Sequence, residues 1–192
     1  NGGWTSGLLA AHLGGSPGGP AVEVTLRRPA PLDTALTVVQ EGIRAALHDG
    51  EPGPGTLVAE ATIVDRELQA PAPIDHDAVT AAEAGFLGFV DHPFPTCVIC
   101  GTQRHPHQGL RIFPGPVAGR PGTVAGWWRP SPNMVDHSAA DGRILDAAVW
   151  GALDCPTGWA HAGGGGVALL GRLTAQILQP VHHDVDLVVV AE

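Results

Sequence analysis

Asp154 is the one carboxylate late in a long apolar stretch, residues 144–160, whose only other carboxylate is Asp146 near its start. A helix that is apolar on nearly every side belongs in the interior, where an unpaired carboxylate is strongly disfavoured. A carboxylate kept in such a setting has a raised pKa and can act as a general base or a nucleophile. Alternatively, the helix ends near Pro156 and Gly158, and Asp154 is solvated or caps another element. The residues alone leave both possibilities open.

The start of the chain offers a second set of polar groups. Asn1 is a good N-cap, and Gly2 and Gly3 leave the first-turn amides uncovered ahead of a helix predicted over 4–13. The positive end of a helix dipole favours negative charge. These amides are therefore candidates for stabilising an oxyanion.

A short-spaced cysteine pair suggests a metal. Cys97 and Cys100, together with His105 and His107, would provide four zinc ligands. A structural zinc requires all four to converge, and no second cysteine pair lies nearby. We expect no stoichiometric zinc and no cofactor. Three cysteines do not make a disulfide framework for 192 residues, which fits a reducing cytoplasm.

Composition narrows the class of partner. The net charge is -9, lysine is absent, and the ten arginines are scattered, which argues against nucleic acid. With 44% hydrophobic residues, the chain can bury a core. No apolar run approaches the roughly 18 residues that cross a bilayer, and the start lacks a secretory pattern. We expect a cytoplasmic protein with no membrane partner.

Hydrophobic periodicity predicts helices and antiparallel strands. The predicted strands cover residues 21–26, 36–39, 43–47, 56–64, 123–129, 168–179 and 184–190. A proline-bounded segment contains a short helix near 77–87, and Ser138 begins a capping-box pattern before the central helix. The predicted organisation is a first unit (1–66), a linker (67–95) and a second unit (96–192).

The two units look alike. Residues 26–39 align with 177–190, with a proline, an aspartate, a leucine and two valines at the same spacing. Chance similarity is the alternative, but the shared order of elements favours duplication. The first unit then lacks a strand before its helix, and the second lacks its closing hairpin. The chain looks trimmed at both ends.

Three segments resemble one protein family. Asn1-Gly2-Gly3 resembles the His/Asn-Gly-Gly helix start of acyl-CoA thioesterase-like hotdog proteins, and residues 152–160 resemble the Leu-Ala-Asp-x-Ala-x-Gly-x-Ala segment of phenylacetate-pathway thioesterases. Cys97-Val-Ile-Cys100-Gly followed by Gly109-Leu110 resembles a loop in that group. The chain is similar to the thioesterase-like double-hotdog superfamily, including acyl-CoA thioesterase II types, over most of its length.

The resemblance implies an α+β double hotdog, with two apolar helices wrapped by one curved antiparallel sheet. It implies hydrolysis of an acyl-CoA or acyl-carrier thioester at a site between the units, and a homo-oligomer, such as a dimer. Asp154 is then the base or nucleophile, and Asn1, Gly2 and Gly3 form the opposing helix start. It also explains the cysteine pair as a turn.

Overlaying the two helices places Ala10 opposite Asp154, and Gly2-Gly3 opposite Asp146-Ala147. One site between the two helices would therefore hold both the Gly2-Gly3 amide donors and the carboxylate, and the second site between them would hold neither. The alternative function is that of a non-catalytic acyl- or CoA-binding protein. A hotdog dehydratase is third, because no histidine lies within the Asp154 helix. Of Trp127 and Trp128, one should face the core and the other an acyl pocket or interface.

Overall fold

The structure is a computed structural model that describes residues 1–162 and 167–192. Its α-helices are α1 (Gly2–Ala11), α2 (His76–Ala84) and α3 (Asp146–Ala162). Its strands are β1 (Ala21–Leu26), β2 (Leu36–Glu41), β3 (Arg44–Asp49), β4 (Leu57–Val64), β5 (Gly115–Pro116), β6 (Val124–Trp128), β7 (Arg172–Ala175) and β8 (Leu187–Ala191). Single 3-10 turns occur at Leu87–Phe89 and Pro132–Met134. The α+β class predicted from the sequence is confirmed.

The strands form two antiparallel sheets. The larger has the order β2-β3-β4-β1-β7, and the smaller has the order β5-β6-β8. The single curved sheet predicted from the sequence is therefore wrong for the described residues. β7 pairs with β1, whereas β8 pairs with β6, so two strands that follow one another in the chain belong to different sheets.

Helices α1 and α3 pack so closely that their backbones are in contact. A Cβ atom on Gly7 would lie 2.7 Å from Ala147 Cα, and one on Gly3 would lie 3.0 Å from Gly151 Cα. Small residues allow this approach, and Trp150 is fully buried beneath α1. Its indole N–H donates to the Gly15 carbonyl at 3.4 Å. The helix pair lies in the core and positions both Asp154 and the Asn1–Gly3 helix start.

Helix α3 continues beyond the point where its sequence favours an end. Pro156 lies inside the helix and is fully buried, although proline lacks the N–H that would bind a carbonyl one turn earlier. Tertiary packing outweighs this local cost, so the predicted alternative end near Pro156 and Gly158 is wrong. The capping box at Ser138 is also wrong. Ser138 bonds Asp136 through both its N–H and its hydroxyl, and α3 begins at Asp146.

The linker helix is part of the core. Val79 and Ala82 of α2 are buried against β6, and Thr80 accepts a hydrogen bond from the Trp127 indole at 3.1 Å. Trp128 packs on the opposite side, in the cluster beneath α3. Both tryptophans are more than nine-tenths buried, so the prediction that one lines a pocket or interface is wrong.

The two chain segments related by the sequence repeat occupy equivalent strands. The repeat, extended back along the strands, aligns β1 with β7 and β2 with β8. Val22 pairs with Ala175, which aligns with Val24, and Val24 pairs with Leu173, which aligns with Val22. Any antiparallel strand pair shows this reciprocity, so the pairing agrees with the repeat without testing it.

The helix contacts obey the same reciprocity. The overlay places Gly3 opposite Ala147 and Gly7 opposite Gly151, and the two close contacts are Gly3 with Gly151 and Gly7 with Ala147. Any two antiparallel helices give contacts related in this way, so the contacts agree with the overlay without testing it. Within the described ranges, no helix combines the length and apolarity that a membrane span requires.

Candidate functional site

The N-terminus of α1 is capped by Asn1. Its Oδ1 accepts a hydrogen bond from the Trp4 amide at 2.9 Å, and its carbonyl begins the helix ladder by accepting from the Thr5 amide. This is the N-cap role predicted from the sequence. The exposed end of α1 therefore presents first-turn amides at the positive end of the helix dipole.

Asp154 meets this helix end directly. It lies in α3, and its Oδ2 accepts a hydrogen bond from the Gly3 amide at 2.8 Å across 151 positions of sequence. The side chain is half-buried. Burial raises the pKa of Asp154 above its ordinary value, and the hydrogen bond from the Gly3 amide opposes that rise. The structure thus brings together two groups that were predicted to meet.

Glycine is required at position 3 by the approach of α3. A Cβ there would lie 2.7 Å from both the Asp154 Cβ and the Trp150 carbonyl oxygen. Gly2 faces elsewhere: a Cβ on it would meet the side chains of Leu26 and Leu170. Of the two glycines, Gly3 holds the carboxylate, and Gly2 is its neighbour in the first turn.

The position that the sequence overlay pairs with Asp154 is apolar. Ala10 stands where the overlay places Asp154, and Ala147 stands where it places Gly3. Both alanines are buried in the hydrophobic core. Of these two overlaid positions, only the one at the start of α1 therefore combines a carboxylate with a first-turn amide.

Sequence reasoning missed the partner of the cysteine pair. The sulfur atoms of Cys97, Cys100 and Cys155 lie within 4.8 Å of one another, and Cys97 Sγ is 3.5 Å from Cys155 Sγ. His105 and His107 are exposed and stand apart from this cluster. The available signal was the position of Cys155, directly after Asp154 on the central helix.

An aromatic wall covers the three cysteines. Phe86 lies at its centre, with its ring centroid 4.7 Å from Trp159, 5.6 Å from Phe113 and 5.8 Å from His92. The buried Cys100 packs in the same cluster. Trp159 and Asp154 both lie on α3, so this helix connects the wall to the candidate carboxylate.

Two cavities open on other surfaces. One of about 520 Å³ is lined by residues that include Glu83, Phe89, Phe113 and Arg129. The other, of about 460 Å³, lies over the larger sheet among charged side chains. Asp154 lines neither cavity. Phe113 lines the first cavity and also packs against Cys100, so this cavity lies next to the cysteine cluster.

Comparison with protein-family models, curated proteins and solved structures finds no match. Arguments about function therefore depend on the geometry of this chain.

Proposed function

We propose that this protein is a thioester hydrolase of the double-hotdog type, acting on an acyl-CoA or an acyl-carrier thioester. The observation that carries the proposal is the 2.8 Å hydrogen bond between the Gly3 amide and Asp154 Oδ2. It joins a helix N-terminus from one half of the chain to a half-buried carboxylate from the other half. Thioester hydrolysis requires these two parts, an activating group and donors for the developing oxyanion.

Contacts between the two halves support the double-hotdog part of the proposal. The helix pair α1–α3 and the strand pair β1–β7 both join the first half of the chain to the second, as a site between two hotdog units requires. In the first half, the strand order β2-β3-β4-β1 with α1 packed across it is a helix held by an antiparallel sheet. β6 and β8 flank α3 in the second half.

In the proposed reaction, Asp154 removes a proton from water as the water oxygen attacks the thioester carbonyl carbon. Gly3 holds Oδ2 through its amide, which leaves the other carboxylate oxygen for water. Electrons of the carbonyl bond move to its oxygen, which the Gly2 amide and the Asn1 side chain stabilise at the positive helix end. The carbon–sulfur bond then breaks, and the thiolate leaves and takes up the proton from Asp154.

The same proposal includes a cytoplasmic location and a homo-oligomer. The three cysteines are free thiols even though two of their sulfur atoms are 3.5 Å apart, which fits a reducing compartment. Sedimentation or light scattering on the full chain measures the oligomeric state.

A non-catalytic acyl- or CoA-binding protein is the second candidate. The hydrogen bond from the Gly3 amide to Asp154 favours this candidate, because a carboxylate that accepts from first-turn N–H groups also serves as a structural cap. Asp154 then stabilises the end of α1, and the pairing of α1 with α3, without acting on a substrate.

A panel of acyl-CoAs separates the two candidates. The full chain is incubated with short-chain, long-chain and aromatic acyl-CoAs, and released CoA is measured by chromatography, because thiol reagents would react with the three protein cysteines. Hydrolysis of at least one class above the rate without protein supports the proposal. Calorimetric binding of acyl-CoA with no turnover on any member supports the binding protein instead.

A further inference from the structure

The three cysteine thiols converge from two distant parts of the chain. Cys97 and Cys100 belong to one loop, and Cys155 lies on α3, 58 positions after Cys97. Their sulfur atoms are all within 4.8 Å of one another, with 3.5 Å between Cys97 and Cys155. Zinc–sulfur bonds of about 2.3 Å in a tetrahedron place the sulfur atoms about 3.8 Å apart. The observed distances fit three corners of such a tetrahedron.

The loop around Cys97 is shaped to present its sulfur. The Ile99 amide donates to Cys97 Sγ at 3.4 Å, and the Gly101 amide donates to the Cys97 carbonyl at 3.0 Å. A Cβ on Gly101 would lie 2.4 Å from that carbonyl oxygen, so only glycine closes the turn. Amides directed at sulfur are the outer partners that orient metal-bound thiolates.

The surroundings exclude water from one side of the cluster and leave another side open. Cys100 is only 2% exposed and packs with Phe86 and Phe113. Cys97 and Cys155 are partly exposed, and the Asn1 side-chain amide is 3.7 Å from Cys155 Sγ.

We propose that Cys97, Cys100 and Cys155 form a site for one zinc ion, with three thiolate ligands and a fourth ligand taken from solvent. On binding, each thiol that is still protonated gives its proton to water, and each sulfur donates an electron pair to the metal. Three soft sulfur ligands favour zinc over magnesium or calcium, which prefer oxygen.

Three histidines near this loop in the sequence are poorly placed to provide the fourth ligand. Both ring nitrogens of His92 are engaged, Nε2 with the Cys100 carbonyl at 3.1 Å and Nδ1 with the Phe94 amide at 2.9 Å. His105 and His107, which the sequence pairs with the two loop cysteines, are exposed and outside the cluster. The proposed site therefore uses Cys155 in place of the two histidines that the sequence suggested as ligands. It also replaces the expectation that the chain binds no zinc. It does not depend on hydrolysis.

Metal content of the full chain is the direct test. Protein purified under reducing conditions is stripped with a chelator, reloaded with zinc, passed through a desalting column and analysed for metal. We expect about one zinc per chain. Cobalt reloading should give the intense sulfur-to-cobalt charge-transfer absorption of thiolate ligands, together with the visible bands of a tetrahedral ion.

Single substitutions identify the ligands. C97S, C100S and C155S should each weaken zinc binding at least about tenfold, the lower end of what even outer-shell substitutions cost. The matched control is the double variant H105A/H107A, which should keep wild-type affinity. If a serine variant does not fold, zinc should still shield Cys97 and Cys155 of the wild-type chain from a maleimide, whereas the buried Cys100 is shielded with or without zinc.

Three results would overturn the site. They are a reduced wild-type chain that takes up no zinc, a C155S variant with unchanged affinity, and loss of zinc in H105A/H107A. Formation of a Cys97–Cys155 disulfide in air, with no zinc uptake after reduction, would instead make the cluster a redox pair. None of these measurements uses hydrolysis, so failure of the metal site and failure of the proposed enzyme are separate outcomes.

Discussion

Gly3→Ala tests whether the contact of α1 with α3 fixes the candidate site. The added Cβ would lie 2.7 Å from the Trp150 carbonyl oxygen and 3.0 Å from Gly151 Cα. Backbone atoms cannot rotate away, so the helices must separate. Overpacking of this kind costs about 1–3 kcal/mol, and we expect the upper half of that range. Alanine returns up to about 1 kcal/mol through its helix propensity.

The expected net loss for Gly3→Ala is therefore about 1–2 kcal/mol. In a chain of this size, that corresponds to a fall in Tm of about 2–8 °C. Urea unfolding followed by circular dichroism measures the free energy, and a thermal scan measures the Tm. The slope of the urea transition should stay unchanged, because the unfolded chain exposes nearly the same surface.

Gly2→Ala is the matched control. It changes the adjacent residue of the same helix turn, with the same gain in propensity, but its Cβ would meet the side chains of Leu26 and Leu170 at 2.9–3.1 Å. Side chains can shift more cheaply than backbone, so we expect Gly2→Ala to change stability by less than about 1 kcal/mol. If Gly3→Ala is as stable as Gly2→Ala, the close helix contact argued here does not exist.

Two further predictions concern α2 and its packing on β6. Thr80→Val removes the acceptor of the Trp127 indole hydrogen bond, and the unpaired N–H should cost about 1–3 kcal/mol in urea unfolding, whereas Thr80→Ser should remain close to wild type; equal stability of the two variants would contradict the bond. Burial raises the pKa of Glu83 despite the opposing charge of Arg129, so the folded state holds this proton more tightly than the unfolded state. The stabilisation from this group is therefore fully present below the ordinary glutamate pKa of about 4.3 and is lost as the pH rises above it. Glu83→Gln has no such proton to lose, so its free energy of unfolding should fall less than that of the wild type between pH 4 and 7. Parallel pH profiles of the two proteins would refute this.

The local elements could be predicted from the sequence. Alternating apolar residues identify β1 and β4, and Asn1 with two glycines identifies the start of α1. The meeting of Gly3 with Asp154 is predicted from the resemblance to hotdog proteins, which implies that the two helices pack side by side. These features depend on patterns within one element or on the resemblance to a known family.

The remaining features depend on long-range pairing. Periodicity shows that β7 and β8 are strands but not that one pairs with β1 and the other with β6. Pro156 favours a helix end locally, and only the buried packing of α3 keeps the helix intact through it. Cys155 has no spacing rule that links it to Cys97, because the contact arises from the fold.

The proposed site as a whole depends on the carboxylate of Asp154, and Asp154→Asn removes its charge while keeping its size. The variant should fold with a Tm close to wild type and hydrolyse the best acyl-CoA at least about a hundredfold more slowly, since general-base catalysis contributes roughly 10²–10⁴-fold. Asp146→Asn, on the same helix but away from the Gly3 amide, controls for loss of a carboxylate and should retain turnover. The measurement is kcat/KM for the three proteins on one substrate. A hundredfold loss confined to Asp154→Asn is the predicted result, and undiminished hydrolysis by that variant would remove Asp154 from the mechanism.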